Sequence, residues 1–180
     1  MTLAPALLIS MPQLTDPNFA RTVVLLCEHG PEGALGLVVN RTAEVGAAEA
    51  VEFEPPLETP NQIPLYLGGP VEPERGWILT TQKPDVEHKD LGGGLYLAAS
   101  PELLRETLES SSLPRRTMVL AGYAGWSAGQ LDAELSESAW LIAPLELDLI
   151  FEIPPAASWE MAIRRMGADP ALLQMGHGVH

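Results

Sequence analysis

Residues 21–40 read RTVVLLCEHGPEGALGLVVN, two apolar runs on either side of a turn-forming segment. Residues 21–27 and 33–40 are rich in valine and leucine and too short for buried helices, so they predict two strands. Between them, residues 29–33 (HGPEG) supply the glycines and the proline that turns require. The stretch therefore predicts an antiparallel β-hairpin, from which the rest of the fold can be built outward.

Further strands and helices are predicted on the C-terminal side of this hairpin. Short apolar runs predict strands at residues 65–67, 76–81, 94–98, 117–122 and 139–143. Helices are predicted at residues 44–53, after Ser100-Pro101, from residue 130 and at 158–167. Turns or irregular loops are expected at residues 54–64, 82–93 and 123–129. Because strands follow one another more often than they alternate with helices, we expect one α+β domain over residues 1–180 with a mixed, mainly antiparallel sheet.

The chain is strongly acidic. Its 180 residues are 46% hydrophobic, which is enough for a core without disulfides or a structural metal. Acidic residues number 24 and basic residues 10, so the net charge is −14. Two base-free stretches, residues 44–74 and 117–163, hold seven acids each and account for the whole excess. An acidic protein repels phosphate backbones and anionic lipid head groups, so direct binding to nucleic acid or a membrane is not expected.

Cys27 is the single cysteine, which excludes an intrachain disulfide and a disulfide-framed secreted class. The first residues, MTLAPALLISMPQ, lack the basic start and the cleavage site of a secretory signal. No apolar run is long enough to span a bilayer. A cytoplasmic location is therefore the simplest expectation.

Three blocks of sequence together resemble a known family. They are SMPQLTDPNFARTVVLLCEHGPEGALGLVVNR at 10–41, LGGPVEPERGWIL at 67–79, and AGYAGWSAGQLDAEL at 121–135 followed by AW at 139–140. In order and spacing these blocks resemble the AlgH/YqgE family of small, uncharacterised bacterial proteins, and the likeness extends to the closing MGHGVH. The resemblance implies a bifurcated sheet folded into a pseudo-barrel with a few flanking helices, in the bacterial cytosol. It also brings a proposed link to the regulation of alginate genes, but no reaction.

Ser127 is one candidate nucleophile. Residues 125–129, GWSAG, match G-x-S-x-G between a predicted strand and a predicted helix, which is the context of a nucleophile elbow. A serine nucleophile needs a histidine base, and the histidines that follow it, His177 and His180, lie in a tail beside glycines. The alternative interpretation is that Ser127 caps the following helix.

Cys27 and His29 form a second candidate pair. They are two residues apart on a predicted strand, so their side chains would face the same way and could make a thiolate–imidazole pair. The alternative is an inert cysteine buried in an apolar strand.

The glycine-rich segment at residues 122–130 is a candidate binding site. The backbone at Gly125 and Trp126 can approach a ligand closely, and Gln130 and Glu134 lie one helical turn apart on one face. The alternative is a tight turn that packs Trp126 into the core.

Two further pairs are candidates for the same site. Asn40 and Arg41 follow a strand, where a guanidinium can meet a carboxylate or phosphate, or can instead form a surface ion pair. Gly68 and Gly69 form a turn whose glycines serve either backbone geometry or ligand contact.

Motifs for cofactors and metals are missing. There is no Walker loop, dinucleotide fingerprint or EF-hand, and His177 with His180 is not a closed zinc pattern, so no cofactor and no metal are expected. We therefore expect a non-enzymatic binding or regulatory module for a protein partner or a small ligand. The alternatives are a hydrolase that uses Ser127 or Cys27 and a DNA-binding regulator, although no helix-turn-helix or basic helix is visible.

Overall fold

The computed structural model describes residues 2–113 and 116–173. Its strands are β1 (Ala6–Ser10), β2 (Val23–Gly30), β3 (Gly33–Val38), β4 (Thr42–Gly46), β5 (Pro64–Leu67), β6 (Val71–Thr80), β7 (Lys89–Gly92), β8 (Leu95–Ala98), β9 (Thr117–Ser127) and β10 (Trp140–Ala143). Its helices are α1 (Ala47–Ala50), α2 (Pro101–Glu109), α3 (Gln130–Ser136), α4 (Leu147–Phe151) and α5 (Pro155–Arg165).

The strands form one curled sheet that branches at β9. The main path runs β10-β1-β2-β3-β9-β6-β8-β7, and every neighbouring pair along it is antiparallel. On the edge opposite β6, β9 pairs first with β5, in parallel at residues 119–121, and then with β3 at residues 124–127. The fold is thus mixed α+β, with a curled, mainly antiparallel half-barrel and a few helices, as expected.

The predicted hairpin is confirmed. β2 and β3 pair antiparallel from Val24 with Val38 down to Gly30 with Gly33. The register shifts between Leu26 and Glu28, which leaves Cys27 as the extra residue of a β-bulge. Bulges bend a strand and re-aim a side chain, so this one decides where the thiol lies.

The core lies on both faces of the sheet. The larger cluster packs the sheet against α4 and α5, where Trp159 also donates from Nε1 to the Ser10 carbonyl at 2.8 Å. A second cluster lies under α3 and contains Trp126 and Trp140. A third packs α2 against the segment around α1.

Several expectations about elements were wrong. The segment predicted as a turn at residues 123–129 continues β9 as far as Ser127, because pairing with β3 extends the strand past its glycines. Helix α3 begins at Gln130 behind the left-handed Gly129, so Ser127 is not its cap. The loop predicted at residues 82–93 contains β7. Only Ala47–Ala50 of the helix predicted at 44–53 is helical: residues 44–46 belong to β4, which pairs with β5, and residues 51–53 belong to no helix or strand. Strand β1 and helix α4 were not predicted.

Candidate functional site

A shared carboxylate joins the residues of the glycine-rich segment. Glu134 Oε1 accepts from the indole Nε1 of Trp126 at 3.0 Å and of Trp140 at 2.9 Å, and its Oε2 accepts from Gln130 Nε2 at 3.0 Å. Gln130 Oε1 accepts in turn from the backbone N–H of Ser127 at 3.0 Å. These polar groups therefore partner one another and hold α3 onto β9 and β10.

Asn40 and Arg41 fasten a different part of the molecule. Asn40 Oδ1 accepts from the Val23 N–H at 2.9 Å, and Asn40 Nδ2 donates to the Arg21 carbonyl at 3.0 Å. The Arg41 guanidinium donates to the carbonyls of Asn18 at 2.7 Å and Ala20 at 2.8 Å. Both side chains thus bind the turn that precedes β2.

Gly68 and Gly69 lie where two backbone segments nearly touch. A Cβ on Gly68 would lie 2.5 Å from the Gly122 carbonyl oxygen, and one on Gly69 would lie 2.2 Å from the Tyr123 carbonyl carbon. These glycines therefore let the chain pass directly against β9.

The predicted binding residues do not share a cavity. The four best-formed cavities are not lined by Asn40, Arg41, the Gly68-Gly69 turn, Gln130 or Glu134. Of this set of candidate residues, Trp126 lines one of the four, the cleft beside the β2–β3 hairpin.

Ser127 is not joined to a histidine. Its hydroxyl lies 3.2 Å from Gln130 Oε1. His29 does pair with a carboxylate, at 3.0 Å between Nε2 and Asp132 Oδ1, but its Nδ1 accepts from the Leu3 N–H at 3.1 Å. The base of a Ser-His-Asp arrangement is thus engaged elsewhere. His177 and His180 lie outside the described residues.

Cys27 is buried and protonated. The thiol is 5% exposed, its Sγ contacts the Leu25 carbonyl at 3.6 Å, and no hydrogen bond joins it to His29 among the described residues. Burial raises the pKa of the Cys27 thiol to about 12, against the smaller opposite effect of the Lys89 charge. Because the thiolate is the nucleophile, a thiol with this pKa is inert near neutral pH.

A large cavity lies beside Cys27, and we call it the main cleft. It has a volume of about 1000 Å³ and lies between the β2–β3 hairpin, β6, β8 and the start of α2. It is lined by Cys27, Glu28, Leu35, Arg75, Trp77, Lys89 and Leu97, with residues 86–88 and 98–102. A second cleft of about 750 Å³ follows the hairpin on the other side and shares Cys27, Glu28, Leu35 and Lys89 with it.

The floor of the main cleft is apolar and the polar groups lie above it. Cys27, Trp77 and Leu97 are buried, at 5%, 7% and 5% exposure. The Arg75 guanidinium lies over the Trp77 ring at 4.2 Å from its centroid. Lys89 forms an ion pair with Glu28 where the two clefts meet. An apolar floor with a few convergent polar groups is typical of a small-molecule site.

The start of α2 forms one wall of the main cleft but is not a free anion site. Ser100 Oγ accepts from the Leu103 N–H at 3.2 Å, and the Ser100 carbonyl accepts from the Leu104 N–H at 3.0 Å. Pro101 has no N–H to offer, and the acidic Glu102 occupies the first turn.

Sequence reasoning did not single out the residues of the main cleft. Arg75 and Trp77 lie within the block GGPVEPERGWIL, and Arg75 is the first base after the acidic stretch at 44–74. This change from acidic to basic residues at Arg75 was a signal in the sequence that could have pointed to the cleft. No such signal marked Lys89, because the segment that forms its strand was predicted to be a loop.

Two further findings concern the described part of the chain. No three His, Cys, Asp or Glu side chains there come close enough together to hold a metal ion. No helix there has both the length and the apolar character needed to cross a bilayer.

Comparisons with known proteins define the class and then the family. The AlgH protein from Pseudomonas aeruginosa, whose solution structure is known, is 37% identical, with a TM-score of 0.79 over 97% of this chain and 94% of that one. A crystal structure of a protein from Corynebacterium diphtheriae, at 24% identity, shares the fold with a TM-score of 0.70 over 94% of this chain and 90% of that one. The curled α+β half-barrel is thus the architecture of these proteins.

Sequence relatives agree with the structural ones. A UPF0301 protein of Anaeromyxobacter dehalogenans strain 2CP-C is 41% identical over 98% of this chain and 94% of its own length. One from Magnetococcus marinus is 40% identical over 98% of this chain and 96% of its own. A family model described as AlgH-like matches residues 7–171. This chain belongs to the AlgH-like family.

Proposed function

We propose that the protein is a non-enzymatic binding module that holds a small ligand in the main cleft. The observation that carries the proposal is the cleft itself: about 1000 Å³ beside a buried thiol, with an apolar floor and a cation stacked above it. Pockets of this size and lining are where proteins bind small molecules.

The state of the candidate nucleophiles supports binding rather than hydrolysis. The Cys27 thiol is protonated at neutral pH, since burial raises its pKa to about 12. The Ser127 hydroxyl contacts Gln130 and not His29. A covalent mechanism needs a nucleophile within hydrogen-bond reach of its base, and neither residue has that arrangement.

A regulatory role would be indirect in this proposal. With a net charge of −14 the chain repels a phosphate backbone, which disfavours a DNA-binding regulator. The ligand-loaded protein would instead act on gene expression through a protein partner in the cytosol.

Blocking the main cleft tests the proposal. Ala99 is exposed and lines the cleft, so Ala99→Trp places a bulky indole in the cavity and obstructs it without disturbing the core. A library of small aromatic and aliphatic molecules is screened by thermal shift. A ligand at about 100 times its Kd adds about 2.7 kcal/mol to the free energy of unfolding. For a chain of this size that raises Tm by about 5–10 °C.

The expected hits stabilise the wild type and Ala171→Trp, but not Ala99→Trp. Ala171 is also exposed and lies away from the main cleft, so it controls for the added indole. A library without hits, or hits that stabilise Ala99→Trp as well as the wild type, would contradict the proposal.

A further inference from the structure

Trp77, in the wall of the main cleft, carries an unpartnered hydrogen-bond donor. Trp77 lines the cleft, is 7% exposed, and its Nε1–H has no acceptor among the residues that the structure describes. The other buried indoles, those of Trp126, Trp140 and Trp159, each donate to a protein oxygen. A buried donor without an acceptor is unfavourable and rare in folded proteins, so Trp77 marks a place where an acceptor from outside the chain would be favourable.

Arg75, above the Trp77 ring, has donors to spare. Its nearest acidic partner is Glu72, whose Oε2 lies 3.9 Å from Arg75 Nη1, beyond hydrogen-bond distance. The same Glu72 oxygen already accepts from the Tyr123 hydroxyl at 2.8 Å. A guanidinium has five N–H donors in a planar fork that matches a carboxylate in bidentate geometry. Stacking on the indole fixes the plane of that fork in advance.

The carboxylates that line the main cleft do not pair with the Arg75 guanidinium. Glu28 is paired with Lys89. Glu87 and Glu102 are exposed side chains, so they belong to the rim and not to the apolar floor. The apolar floor is therefore next to the hydrogen-bond donors of Arg75 and Trp77, whereas the carboxylates of Glu87 and Glu102 lie at the rim.

Resting on the function proposed above, we infer that the ligand of the main cleft carries one carboxylate on an apolar body. The carboxylate binds Arg75, and a turn of the Trp77 ring toward the cleft brings its covered Nε1–H to the same carboxylate, which supplies the missing acceptor. The apolar body lies on Leu35, Leu97 and the covered thiol of Cys27. A single anionic group is favoured, because Glu87 and Glu102 repel further negative charge at the rim.

A matched series of probes tests the charge requirement. N-acetylphenylalanine, phenylalanine, N-acetylphenylalaninamide and phenylalaninamide share one benzyl group and are respectively anionic, zwitterionic, neutral and cationic at pH 7. Binding is followed by isothermal titration and by the indole ¹H–¹⁵N signal of Trp77. We expect the two carboxylates to bind at least about tenfold more tightly than their amides and to move the Trp77 signal.

A variant that lacks the Arg75 charge is the second part of the test. Arg75→Met keeps a long apolar side chain over the ring and should lower the affinity for N-acetylphenylalanine about tenfold or more, to the level of its amide. Arg105→Met is the matched control, since Arg105 also stacks on an aromatic ring, that of Phe53, but lies outside the main cleft.

The outcomes separate this inference from the proposed function. Equal binding of all four probes, lost in Ala99→Trp, would overturn the carboxylate requirement and leave the binding module intact. Tightest binding by phenylalaninamide would overturn the inference in favour of the rim acids. Binding by none of the probes, together with a failed library screen, would overturn both.

Discussion

At the scale of single residues, position 69 has no room for any side chain. Its φ is +152°, and a Cβ there would lie 2.2 Å and 2.3 Å from the carbonyl carbon and oxygen of Tyr123. Those atoms belong to the paired backbone of β9 and cannot move aside cheaply. The position therefore requires glycine for packing reasons as well as conformational ones.

Gly69→Ala should destabilise the protein by about 3–5 kcal/mol, because either the β5–β6 connection or β9 must shift. Urea unfolding followed by tryptophan fluorescence measures the change. Gly30→Ala is the control: its Cβ would meet nothing within 4 Å and its φ is unremarkable, so we expect a change within about 0.5 kcal/mol. Equal midpoints for the two variants would refute the packing explanation.

The candidate site shows at this scale what a sequence can and cannot indicate. Gln130 and Glu134 were correctly placed on one face of a helix, since the helical period brings i and i+4 together. Trp140, whose indole donates to the same Glu134 oxygen as that of Trp126, was missed because β10 reaches Glu134 only through the tertiary fold. Arg75 and Trp77 were missed as well: they lie two residues apart on β6, but the cleft that they line forms only where the curled sheet brings β6, β8 and the hairpin around one space.

At the scale of elements, Glu134 is the point where α3 meets two strands. One carboxylate oxygen accepts from indoles on β9 and on β10, and the ring of Phe19 packs against both indoles at 6.3 Å and 5.8 Å between centroids. Hydrogen bonds to a charged acceptor are stronger than those between neutral groups.

Glu134→Gln should therefore lower the free energy of unfolding by about 1–2 kcal/mol, since the amide keeps an acceptor oxygen but loses the charge. Glu137→Gln is the matched control, because Glu137 is exposed, lies at the end of the same helix and makes no ion pair within the described part of the chain. Chemical denaturation of the two variants compares them directly. A Glu134→Gln midpoint as high as that of Glu137→Gln would mean that the shared carboxylate adds no stability.

A strand or helix could be predicted from the sequence where its local residue pattern favours the same structure as its tertiary contacts. The β2–β3 hairpin and the Ser100 cap of α2 follow from nearby residues and were found. The extension of β9 through its glycines was not, because only the pairing with β3 overrides the turn preference of that composition. Strand β1 was missed for a similar reason: Leu7 and Ile9 pack in the larger cluster and Leu8 in the second, so both of its faces are buried and no alternation of polar and apolar residues marks it.

At the scale of the whole molecule, the excess of acid is only partly compensated. Glu152 pairs with Arg116, and Glu146 and Asp148 pair with Arg165. That arginine lowers the pKa of the Asp148 carboxyl, chiefly through their hydrogen bond. In contrast, the exposed Glu52, Glu54 and Glu58 have no ion-pair partner among the described residues. The repulsion among these carboxylates acts at the exposed surface, so dissolved salt can screen it.

Salt should accordingly stabilise the protein. Raising NaCl from about 20 mM to about 300 mM shortens the Debye length from roughly 20 Å to roughly 6 Å and should raise Tm by about 2–4 °C. Differential scanning calorimetry measures the rise. The triple variant Glu52→Gln, Glu54→Gln, Glu58→Gln should show a smaller rise, and KCl should match NaCl. A Tm that falls with salt would show that the ion pairs outweigh the repulsion.

The pairing of β1 with β10 has a consequence for how the chain folds during synthesis. Residues 7–10 bond to residues 140–143, so one edge of a fully buried strand has no partner until most of the chain has been made. At about 5–20 residues per second, the ribosome needs roughly 7–26 s to cover that interval. During it the nascent chain presents a bare β edge, which is a template for aggregation and a natural substrate for chaperones.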